Sequence, residues 1–172
     1  MSNLEEVLDS LAIDACSELL KAYDVSMSLE SSATASTVKA VSRGGVIGFS
    51  GEQIRGSLCL QLDEDVISRI GLPGHDRNDW IAELSNQLLG RIKNKLLKMQ
   101  IVLGLGIPVA VAGEGLEMAF GSHKARTFKF VNDSGNEQMI VHLDCEFDGE
   151  ITVNLEENTG EEPLEEGKSL IF

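Results

Sequence analysis

The stretch NDWIAELSNQLLGRIKNKLLKMQ, residues 78–100, repeats its apolar side chains in steps of three and four. Ile81, Leu84, Leu88, Ile92, Leu96 and Met99 trace one stripe of a helix, with Asp76 or Asn78 as its N-cap. At about 100° per residue, Asp79, Glu83, Asn86 and Gly90 fall within roughly 60° of one another, opposite Ile81, Leu88, Ile92 and Met99. One face is therefore suited to a core and the other to solvent. A solvated polar face is the ordinary fate of an amphipathic helix, so spacing alone does not make these residues a site.

On the N-terminal side, Gly45 to Leu62 alternates Val46, Ile47, Phe49, Ile54, Leu58, Leu60 and Leu62 with small or polar residues around Ser50-Gly51-Glu52-Gln53, which predicts a β-hairpin. Asp63-Glu64-Asp65 follows and predicts a capped short helix through about Ile70, stopped by Leu72-Pro73-Gly74. Leu4 to about Tyr23 carries Leu4, Val7, Leu8, Leu11, Ala15, Leu19 and Leu20 at helical spacing, and Ser31 to Thr37 reads as a loop or weak edge strand.

Beyond the long helix, Ile107 to Ala112, Arg126 to Val131, Met139 to Phe147 and Ile151 to Leu155 are rich in strand formers. Asp133-Ser134-Gly135-Asn136 separates two of them, and Asp148-Gly149 predicts a tight hairpin. Residues 156–172 are acidic and turn-rich, a solvated and mobile tail. The expected fold class is α/β of the α+β type: one domain spanning residues 1–172, with a twisted, mainly antiparallel sheet flanked by long helices.

Composition narrows the function. A net charge of −14 repels phosphate backbones and anionic leaflets, so neither nucleic acid nor membrane is an expected partner. The charge-free run from Met99 to Gly113 is shorter than the roughly 20 apolar residues a bilayer requires. The first residues lack the basic and apolar regions of a secretory signal, so a cytoplasmic location is expected. Cys16, Cys59 and Cys145 are widely spaced without a CxxC pair and read as buried, reduced thiols. His75, His123 and His142 are scattered, and no Cys/His cluster or carboxylate cage predicts a metal. Gly104-Leu105-Gly106 lacks the third glycine of a dinucleotide fingerprint, and Gly48-Phe49-Ser50-Gly51 is one residue short of a nucleophile elbow.

One wider pattern raises the helix above the ordinary. Asp79, three residues, Glu83, two residues, Asn86, then 21 residues to Pro108 resembles the signature of the CheC, CheX and FliY family of chemotaxis phosphatases. The similarity runs from about Val46 to Gly113 and takes in Glu83 to Gly90 with Lys93, Pro108 to Gly113, and the hairpin segments Ile47 to Gly51 and Gly56 to Leu60. It is nearest to the CheX-like members with a single motif.

The resemblance implies a two-component signalling hydrolase that removes the phosphoryl group from a phosphorylated CheY-like receiver. It implies catalytic roles for Glu83, pairing with the receiver's lysine, and Asn86, orienting water, with Asp79, Gly90 and Pro108 supporting. The phosphatase then has no cofactor of its own, because the receiver supplies the aspartyl phosphate and Mg²⁺. A homodimer through exchanged or joined edge strands is implied as well. The competing reading is a noncatalytic receiver-binding module related to flagellar-switch proteins, against which the intact Glu83/Asn86 pair argues.

Overall fold

A computed structural model of the chain describes residues 2–30, 43–71, 76–113, 125–149 and 152–153. Their elements run β1 (Ser2–Asn3), α1 (Leu4–Ala22), β2 (Ser28–Leu29), β3 (Arg43–Ser50), β4 (Ile54–Leu62), α2 (Glu64–Ile70), α3 (Arg77–Leu97), β5 (Gly104–Leu105), β6 (Val109–Ala112), β7 (Arg126–Val131), β8 (Gln138–Phe147) and β9 (Thr152–Val153).

The expected hairpin is β3–β4, in register from Arg43 opposite Leu62 to Ser50 opposite Arg55. Strand β8 lies along the other edge of β4 and β7 along β8, giving an antiparallel sheet in the order β2-β7-β8-β4-β3-β5, with β6 also on β3. This is an open α+β fold. Leu58, Leu60, Leu62, Val141 and Leu143 are buried with the apolar stripes of α1 and α3 in one core. On α3 the buried residues are Trp80, Ile81, Leu84, Ser85, Leu88, Leu89, Ile92 and Leu96. Burying each large aliphatic side chain contributes about 1.5–3 kcal/mol, so the stripe fastens α3 firmly to the sheet.

Gly45 sets how closely α3 approaches. A Cβ at this position would stand 2.6 Å from the Ile81 carbonyl oxygen and collide with the Ser85 hydroxyl. Ser85 is itself fully buried and donates to Ile81 O at 2.8 Å. Only a residue without a side chain lets helix and strand meet so closely.

The structure revises several expectations. Helix α3 ends at Leu97, three residues before Gln100, because the chain turns there: Gln100 has φ 64, its N–H bonds to Leu97 O, and Ile101 N–H bonds to Leu96 O. The same closing turn ends α1, with Asp24 at φ 55 and N–H bonds from Asp24 to Lys21 O and from Val25 to Leu20 O. Asp63 does not cap α2 with its side chain; its carboxylate accepts from Gln138 N–H at 2.8 Å instead.

The hairpin expected at Asp148-Gly149 does not return to β8. Gly149 has the positive φ of a turn, but the described residues of β9, Thr152–Val153, pair with β1, while β8 pairs with β4 and, as far as Leu143, with β7. Ser31 to Thr37, Leu72-Pro73-Gly74, His75, His123 and the tail 156–172 lie outside the described residues.

Cys16, Cys59 and Cys145 are free and buried, as expected, and burial pushes each thiol up to about 12. Among the described residues, no helix is long and apolar enough to cross a membrane.

Candidate functional site

The N-terminus of α3 is pinned from three directions. Asp76 accepts from Asn78 N–H at 2.6 Å as the N-cap. Glu64 of α2 pairs with Arg43 of β3 at 3.1 Å and with Arg77, while Arg43 also donates to the Asn78 side chain. Burial would raise the Glu64 carboxyl, but the bonds from Arg43 and Arg77 outweigh it and hold the group below the ordinary glutamate value.

From this anchored end the polar stripe faces outward. Asp79 and Glu83 are exposed, and Asn86 and Gly90 are half-buried on the same side. The Asn86 side chain makes no hydrogen bond among the described residues, so its carbonyl oxygen and NH₂ are both available. A Cβ built on Gly90 meets nothing within 4 Å. Among the described residues nothing explains the glycine, and none of them covers the side of the helix beyond Asn86.

Glu83 is more constrained than its exposure suggests. Gln87, one turn on, donates from Nε2 to Glu83 Oε1 at 3.1 Å, and its Oε1 accepts from the Tyr23 hydroxyl at 2.8 Å. The Tyr23 ring stands edge-on to Trp80, with centroids 5.7 Å apart. Lys95 adds a second link between the two helices through Glu18, at 2.6 Å.

Pro108, half-buried, immediately precedes β6, whose Ala110 is paired with Gly45 beneath Ser85 of α3. The structure thus brings Asp79, Glu83, Asn86 and Gly90 onto one stripe, while Pro108 belongs to the strand beside it. His142 lies elsewhere, on β8. Gln61 Oε1 accepts from its Nε2 at 3.0 Å, its Nδ1 accepts from Thr127 at 2.9 Å, and burial lowers its pKa. Among the described residues no group of three or more His, Cys, Asp or Glu is placed to hold a metal ion.

No family model and no curated protein matches the chain. Solved structures do. CheX from Vibrio vulnificus superposes with a TM-score of 0.69 at 19% identity over 84% of this chain and 100% of its own. A CheC-like superfamily protein from Shewanella sp. PV-4 gives 0.66 at 21% identity over 81% and 97%. The fold is that of the CheX and CheC-like proteins. A CheX–CheY–BeF3–Mg complex from Borrelia burgdorferi also matches, with a TM-score of 0.64 at 16% identity over 79% of this chain and 96% of that one.

Tyr23 and Gln87 were not among the residues singled out by the sequence. The spacing from Glu83 to Gln87 is the one signal available, since residues four apart are neighbours on a helix surface. Tyr23 reaches Gln87 across 64 residues of sequence, and no local pattern announces that contact.

Proposed function

We propose that this chain is a phosphatase of phosphorylated CheY-like receivers and uses the exposed stripe of α3 as its working surface. The observation that carries the reading is Asn86: an amide without a partner among the described residues, half-buried on an anchored helix of a CheX-like fold, one turn before a glycine whose side none of them covers. A CheX protein has been solved together with CheY, BeF3 and Mg, the kind of partner this reading requires.

In the proposed reaction, water attacks the phosphorus of the receiver's aspartyl phosphate. The bond between phosphorus and the aspartyl oxygen breaks, releasing phosphate and the free carboxylate, and the water's protons pass to phosphate and solvent. Phosphoryl transfer has a loose transition state, so positioning and charge compensation do most of the work. The Asn86 carbonyl oxygen accepts from the attacking water, while its NH₂ donates to a phosphoryl oxygen. Glu83 pairs with the receiver's lysine and fixes how the two proteins dock. Mg²⁺ belongs to the receiver, and the chain needs no cofactor of its own.

The test is phosphate release from a panel of phosphorylated receivers in Mg²⁺, with and without the protein. Accelerated release from at least one receiver supports the reading. Tight binding to a receiver without acceleration would assign the chain to the noncatalytic modules instead.

A further inference from the structure

An ionised carboxylate only accepts hydrogen bonds, so Gln87 must turn its NH₂ toward Glu83 and its carbonyl oxygen toward Tyr23, whose hydroxyl then donates. The sense of the whole chain is fixed: Tyr23 O–H to Gln87 Oε1, then Gln87 N–H to Glu83 Oε1. By itself a Glu–Gln pair four residues apart on a helix is a weak restraint. Here the amide is held at its other end by a side chain from a different helix terminus. Tyr23 is in turn fixed by the closing turn of α1 and by its edge-on contact with Trp80.

We propose that Gln87 and Tyr23 are positioning residues that hold the Glu83 carboxylate in the orientation it presents to its partner, an inference that rests on the phosphatase reading above. A carboxylate aimed before docking loses less rotamer freedom on contact and meets the receiver's ammonium group in one geometry. The relay also ties the site to the α1–α3 contact, so the exposed glutamate is oriented from the helix layer behind it.

The experiment compares phosphate release by the unmodified protein, Gln87→Met, Tyr23→Phe, Glu83→Ala and the double variant Glu83→Ala/Gln87→Met, with thermal midpoints measured alongside. Methionine keeps the length and helix preference of glutamine without its amide, and phenylalanine removes only the hydroxyl. Gln87→Met is expected to lower kcat/KM by roughly tenfold and Tyr23→Phe by roughly threefold, the scale of one lost hydrogen bond to a charged group and to a neutral one. In the Glu83→Ala background Gln87→Met should have no further effect, because nothing remains to be aimed.

Equal losses in both backgrounds, or an unaltered rate for Gln87→Met in an active protein, overturn the relay and leave the phosphatase reading standing. A protein inactive toward every receiver removes that reading and the relay with it. Should Glu83→Ala leave no measurable rate, the Gln87 side-chain amide protons decide by NMR. They shift on both Glu83→Ala and Tyr23→Phe if the bonds exist, and resonances that stay in place refute them.

Discussion

Among the described residues, Asn86 and Gly90 differ from Glu83 in having nothing to hold or fill them. Asn86→Ala removes the amide and leaves the buried stripe intact, so the thermal midpoint should hardly move while receiver dephosphorylation falls by roughly 10² or more, the scale for loss of one preorganised polar group. Full activity in that variant would end the water-orienting role. Glu83→Ala should lose rate as well, partly as weaker binding to the phosphorylated receiver, and Asp79→Ala less. Gly90→Ala separates stability from function by sign. Alanine improves an open helix position by about 1 kcal/mol, yet its methyl group stands where a docking receiver would come close. A higher midpoint with slower dephosphorylation is expected, and a stabler variant of undiminished rate would show that no partner approaches there. The four stripe positions were legible because a helix places every third and fourth residue on one side. Their division of labour was not: periodicity weights Asp79 and Glu83 alike, and only the resemblance separates them.

At the level of elements, the meeting of Gly45 with Ser85 and Ile81 decides where α3 lies. Gly45→Ala forces a methyl group against the Ile81 carbonyl, which backbone cannot evade cheaply, so a loss of about 3 kcal/mol is expected in denaturant unfolding. An unfolding midpoint equal to that of the unmodified protein would show that α3 can lift away. The Arg43–Glu64–Arg77 cluster makes the same helix sensitive to acid. Because the folded carboxyl titrates below its ordinary value, near 4.5, its contribution is complete above that value and fades as the pH falls through the lower folded one. Unfolding from pH 6 to pH 3 should therefore show a stability loss that is smaller in Glu64→Gln, and identical slopes would refute it. The β3–β4 hairpin and both long helices could be read because alternation and helical periodicity persist over many residues. Strands β1, β2, β5 and β9 have two residues each, too short for any period. The end of α3 fell three residues early because Gln100 occupies a left-handed position where glycine is the usual signal.

Across the whole molecule, helices and sheet form one core, and the margin of the sheet at β5 and β6 is left apolar. Val102, Ile107 and Val109 are exposed there, and among the described residues no strand pairs outside β5 or β6. A second copy meeting this margin would give the homodimer that the resemblance implies. Solution scattering at micromolar concentration should return twice the mass of one chain and, for Val109→Asp, a single chain; one chain for the unmodified protein would exclude the arrangement. The sheet margin could not be read from sequence, because which strand becomes outermost depends on long-range pairing. The three cysteines carry a different consequence. They sit on α1, β4 and β8, one in the helix layer and two in neighbouring central strands. Disulfide exchange proceeds through thiolate, and thiols pushed up to about 12 supply almost none at neutral pH. A chromogenic disulfide reagent therefore finds no target until a layer breathes open, so the native sulfurs serve as three reporters of opening, timed without attaching any label.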